Sequence, residues 1–270
     1  MLTSVLESAC KVLTTAAPLA KAKAARELRA EWLKNDEIGF KTPDLPEQPA
    51  RPAKPDLVPP TEVPRRKLGS EKGRGALLHA IAHIELNAID LAADMIARFS
   101  FDPLISPDDR HDFITDWSSV CDDEARHFIL LHDRLEQLGM AYGDCPSHNG
   151  LWNAAMNTRD NFPARLAIAP LVLEARGLDV TPNMIVKLTQ ARDLESVKIL
   201  EIIYNEEIGH VRIGAKWFQY VARNLHESPK ELFQSLVRSY YKGHIKPPFN
   251  VQARTLAGLS EEYYGPLAKV

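Results

Sequence analysis

Two identical local patterns, Glu124-x-x-His127 and Glu207-x-x-His210, interrupt what would otherwise be the apolar stripes of two long helices. Residues three apart are neighbours on one helical face, because three steps turn the helix by about 300°. Trp117, Val120, Leu131, Leu135 and Leu138 recur at core spacing, and Glu124 and His127 fall in step with them. Leu200, Ile203, Gly214, Trp217 and Val221 do the same around Glu207 and His210. Glu206 also lies one turn before His210, but only Glu207 repeats the spacing seen at Glu124. A charged group inside an apolar stripe is costly unless it is paired or bound to a cation. The chain is therefore constrained to helices that bury a common polar face.

Two further carboxylates fit the same constraint. Glu85 falls within the stripe of Leu78, Ile81, Ala88, Met95 and Phe99, and Glu174 within that of Ala167, Leu171 and Leu178. The order Glu, Glu-x-x-His, Glu, Glu-x-x-His, one element per helix, is the ligand set of ferritin-like carboxylate di-metal proteins. It predicts an all-α, ferritin-like four-helix bundle. Glu85, Glu124, His127, Glu174, Glu207 and His210 would hold two transition-metal ions. Carboxylate and imidazole ligands without thiolates suit iron first and manganese second, and argue against structural zinc. Asp90, Asp94 and Asp123 are candidates to orient a ligating imidazole. His79 and His83 point away from Glu85 on the helical wheel and read as structural or as supports behind the ligands. Tyr204, one turn before Glu207, reads first as core packing, with a hydrogen bond donated near the metals as the alternative.

The flanks differ in character. Residues 1–40 read as a helical arm broken near Pro18, and 41–72 as an extended strap carrying Pro43, Pro46, Pro49, Pro52, Pro55, Pro59, Pro60 and Pro64. Proline at that density forbids helix, and the pattern leaves open whether the strap lies on the bundle or swings free. The bundle is expected over 73–227 and a helical extension over 228–270. Ser106-Pro107-Asp108-Asp109 marks a helix start and Gly139 its end. The third bundle helix is expected to weaken at Gly177, with a fresh start at Thr181-Pro182. Ser228-Pro229-Lys230-Glu231 reads as a capping box.

The formal charge of −3 argues against a general nucleic-acid coat, although Pro18–Lys34 carries five basic residues against two acidic ones. Cys10, Cys121 and Cys145 share no metal-ligand spacing and leave an odd count, which suits a reducing compartment. No stretch approaches the ~20 apolar residues of a bilayer span, and no secretory signal opens the chain. A cytoplasmic location without membrane association is expected.

His83-Ile84-Glu85-Leu86-Asn87-Ala88-Ile89, Asp123-Glu124-Ala125-Arg126-His127, the run from Glu174 to Pro182, Glu207-Ile208-Gly209-His210-Val211 and Pro247-Pro248-Phe249-Asn250 together resemble the bacterial ferritin-like family catalogued as domain of unknown function 455. The resemblance covers nearly the whole chain. It implies the ferritin-like fold and a di-metal site at the six residues above, but supplies no reaction. In ligand order alone the chain is similar to the di-iron hydroxylase of a prenylated tRNA adenosine. The expected function is a di-iron, or iron–manganese, oxidoreductase that uses dioxygen on an organic substrate, with an electron-donor reductase as partner. In that scheme Glu124 and Glu207 bridge or chelate, Glu85 and Glu174 are terminal carboxylates, and the histidines are terminal imidazoles. Iron handling by ferroxidation and a non-catalytic ferritin-like binding protein are the alternatives. A tRNA-base substrate would require a basic surface, for which Lys21, Lys23, Arg26, Arg65, Arg66 and Lys67 are available.

Overall fold

The computed structural model describes residues 4–39, 44–64 and 69–268. Helix dominates throughout, and the described residues form no strand, only isolated bridges at Leu57–Ser147 and Ile245–Ala268. The basic cluster Arg65, Arg66, Lys67 lies outside the described residues, as does Pro43. By packing, the chain divides into two compact units.

One unit takes in the chain up to Trp152 together with Lys187–Ile199. Its helices are α1 (Val5–Thr14), α2 (Pro18–Asn35), α3 (Glu71–Phe99) and α4 (Arg110–Gln137). Pro18 sits at the start of α2, so the break expected there is present. Ser4 and Glu7 form a reciprocal capping box that starts α1, with Glu7 Oε2 accepting from Ser4 N at 2.9 Å. A short turn, Pro107–Asp109, leads into α4 behind the Ser106 cap. Gly139, at φ +66°, closes α4 as expected.

Helix α3 is buried along almost its whole length, with α1 and α4 packed against it. By length and composition it is apolar enough to cross a membrane, which the expectation of no such segment missed. However, 78% of its most apolar window is buried inside the protein. His79 and His83 are both buried. His79 Nε2 accepts from Gly143 N at 2.8 Å and its ring stacks on Tyr142, while His83 bonds Tyr142 Oη at 2.8 Å and His148 O at 3.1 Å. Burial holds the His83 imidazole down at about 4, so it is neutral.

The arm and the strap are both docked on this unit. Trp32 Nε1 donates to Thr115 Oγ1 at 2.9 Å, and Arg29 Nη1 donates to Thr115 O and Ser118 Oγ, tying α2 to α4. From the strap, Arg51 bonds Asn87 Oδ1 at 2.7 Å and pairs with Asp90 at 2.8 Å, Ala50 N donates to Leu13 O, and Trp152 Nε1 donates to Glu47 O. Lys21 is wholly buried, bonding Asp90 and Val12 O. Desolvation lowers its pKa against the opposing pull of Asp90. Lys21 therefore cannot contribute to a basic surface, and Arg26 is paired with Asp122 at 3.1 Å. A helical wheel marks the basic face of α2 but not the acidic residues that other helices bring to it.

The second unit comprises Asn153–Val186 and Leu200–Val270. After α5 (Gly150–Asn157) come α6 (Phe162–Ile168), a π-helical segment (Ala169–Glu174), α7 (Ala175–Gln190) and α8 (Leu194–Asn224). Helices α9 (Pro229–Tyr240), α10 (Val251–Leu256) and α11 (Glu261–Tyr264) complete the chain. Helix α6 packs on α9, and α9 on α11.

Three expectations need correction here. The irregularity lies at 169–174, before Gly177, and Pro182 sits inside α7 rather than opening a new helix. Gly214 is the physical reason the π segment is accommodated. A Cβ there would lie 2.4 Å from Pro170 Cβ, so only glycine lets α8 approach the widened turn. At α9, Pro229 occupies the first turn, but Ser228 makes no side-chain cap bond, so the expected capping box does not form.

Candidate metal centre

Within the first unit, α3 supplies Glu85 and α4 supplies Glu124 and His127. The periodicity that buries Leu78 and Ile81, or Val120 and Leu131, carries these three inward as well. Glu85 is 3% exposed and Glu124 and His127 are fully buried. His127 Nδ1 lies 3.2 Å from Glu85 Oε2 and 3.6 Å from Glu124 Oε2. Each of the three offers a ligand atom within 4.8 Å of the others, close enough to share a cation.

The electrostatics of this triad suit a cation. Burial pushes the Glu85 carboxyl well above its usual range, and the neighbouring Glu124 charge pushes it further. The His127 hydrogen bond opposes both. Two carboxylates driven together inside a protein interior, with an imidazole beside them, form a donor set that a divalent ion would satisfy. The buried carboxylate–histidine group can hold a metal ion.

The second unit carries the other three candidates. His210, 2% exposed, has Nδ1 3.5 Å from Glu207 Oε1, the same intrahelical geometry as His127 and Glu124. Glu174 is half-buried and ends the π segment. A π turn inserts one extra residue, which re-aims the side chains that follow, and such turns cluster at functional sites. Tyr204 Oη accepts from Asn250 Nδ2 at 2.8 Å, so its hydroxyl is hydrogen-bonded.

The three aspartates considered as imidazole partners each face cations. Asp90 pairs with Lys21 and Arg51, Asp94 with Arg98 at 2.7 Å, and Asp123 with Arg126 at 2.7 Å. His127 Nδ1 faces the two candidate ligands Glu85 and Glu124 themselves. Cys10, Cys121 and Cys145 are free thiols. Burial raises the pKa of Cys121 far above that of an ordinary thiol.

A relative from Haemophilus influenzae, itself an uncharacterised protein, is 38% identical over 255 residues, covering 92% of this chain and 88% of its own. No solved structure matches. The profile of one family, "Protein of unknown function (DUF455)", matches residues 14–265, which include all six candidate ligands. The chain belongs to that family.

Proposed function

We propose that this protein is a ferritin-like, dinuclear carboxylate oxidoreductase. It binds two transition-metal ions through Glu85, Glu124, His127, Glu174, Glu207 and His210. The observation that carries the reading is the buried triad Glu85, Glu124, His127, whose atoms converge within 4.8 Å. The Glu207–His210 pair repeats its Glu-x-x-His geometry, and the order of the six residues along the chain supports one shared centre.

Bound iron, or iron with manganese, would supply the redox chemistry for oxidising an organic molecule with dioxygen. The residues do the rest. Buried apolar neighbours such as Trp117 and Phe128 exclude water from the triad's helix. Burial and Glu124 raise the Glu85 carboxyl, so a bound cation would compete with its proton and uptake would be coupled to proton release. A small organic substrate suits the surface better than tRNA, because Lys21 is buried against Asp90 and Arg26 is already paired with Asp122. The cytoplasm, with a reductase as electron donor, is the setting we assign.

Elemental analysis of protein purified without chelator tests the centre: about two iron or manganese ions per chain are expected. His127→Ala with His210→Ala should lose most of them while remaining folded. An unchanged metal load in that variant refutes the assignment. Stopped-flow mixing of the reduced protein with dioxygen tests the reaction. An inert ferrous centre refutes the oxidoreductase, and oxidation that accumulates ferric mineral makes it an iron-handling protein.

A further inference from the structure

Two sequence motifs, the Glu174–Pro182 run and Pro247-Pro248-Phe249-Asn250, are not explained by metal binding alone, yet the second unit folds them against each other. Pro182 has no N–H to donate to the Leu178 carbonyl four residues back. Asn250 Nδ2 fills that gap, donating to Leu178 O at 3.2 Å. The same amide nitrogen donates to Tyr204 Oη on α8 at 2.8 Å. Asn250 Oδ1 accepts from Ala253 N at 3.1 Å and caps α10. Its backbone N donates to Asp179 Oδ1 at 3.0 Å.

Surrounding contacts hold the amide in place. Arg254 grips Asp179 through two bonds of 2.8 and 2.7 Å, and Arg176 donates to the carbonyls of Lys246 and Pro248. One side-chain amide therefore joins α7 to α8. Its contact on α7, Leu178, lies one turn after Glu174, and its contact on α8, Tyr204, lies one turn before Glu207.

We propose that Asn250 is a positioning residue for the metal centre, setting the separation of the Glu174 and Glu207 turns. The inference rests on reading those two glutamates as ligands. Pro182 makes the arrangement necessary, since an ordinary helix would satisfy Leu178 O itself and leave α7 without this tie to α8.

Co2+ is the probe, titrated into chelator-treated full-length protein and followed by its visible absorption. Asn250→Ser retains a capping hydroxyl for α10 but is too short to reach Leu178 O or Tyr204. It should weaken Co2+ binding about tenfold and change the absorption band, at the low end for residues that orient metal ligands. Tyr204→Phe, which leaves Asn250 and its cap of α10 intact, should do the same and keeps the test open if Asn250→Ser fails to fold. Adding Pro182→Ala to Asn250→Ser restores the missing N–H, so thermal stability should recover while Co2+ affinity stays weak. Wild-type affinity and band in both single variants overturn the proposal. So does recovery of affinity together with stability, which would reduce Asn250 to a helix repair. Wild-type protein that binds no Co2+ refutes the metal reading itself, and this inference with it.

Discussion

Glu85→Gln should stabilise the metal-free protein and remove its ability to hold metal. In the folded chain the Glu85 carboxyl is buried and held well above its ordinary value of 4.5, first by desolvation and then by Glu124. A carboxyl raised on folding binds a proton that the unfolded chain has released. Its contribution is fully present below about pH 4.5 and is lost as pH rises toward the folded value, at about 1.4 kcal/mol per pH unit. At pH 7, about 2.5 units above the unfolded value, the loss reaches at most about 3.4 kcal/mol. Glutamine has the same shape and no charge. Allowing about 1 kcal/mol for a poorer hydrogen bond to His127, the net effect expected at pH 7 is a gain of no more than about 2 kcal/mol. Urea unfolding of chelated protein between pH 5 and 8 reads this directly. Wild type should lose stability across the window, and Glu85→Gln should show a flatter profile and little bound metal. A variant less stable than wild type at every pH, with the slope unchanged, would refute the account of the triad as a site strained in the absence of a cation.

Three further outcomes test the packing that supports the centre. Lys21→Met should cost about 3 kcal/mol in urea unfolding, because it leaves the fully buried Asp90 with Arg51 as its remaining cation. Gly214→Ala should lower stability by about 1–3 kcal/mol, since the new methyl meets Pro170 at 2.4 Å and the π segment must shift. His83 is neutral when folded, with a value near 4 against 6.5 unfolded, so its contribution is present above pH 6.5 and lost as pH falls toward 4. Wild type should therefore lose stability across that acid window more steeply than His83→Gln, measured by thermal melts at pH 4.5 and 7.

What periodicity could and could not reach follows from the range of each interaction. Glu85, Glu124 and His127 were legible because a helix carries its buried face in its own spacing, so a polar residue in step with Leu78 or Leu131 must be buried too. The starts at Pro18 and Pro107 were legible for the same reason, since a cap is chosen by its own few residues. The Thr181-Pro182 assignment failed because proline's cost was counted locally while its remedy came from Asn250, in a different part of the chain. Lys21 looked like surface because α2 alone does not reveal Asp90 on α3. The π segment was invisible because its condition is the missing side chain at Gly214, on another helix. Each failure is a polar or steric exception settled by a distant partner, and several lie within a turn or two of a candidate ligand. The irregularities around Glu174 and Pro182 are thus further reason to place function there, independent of the Glu-x-x-His spacing.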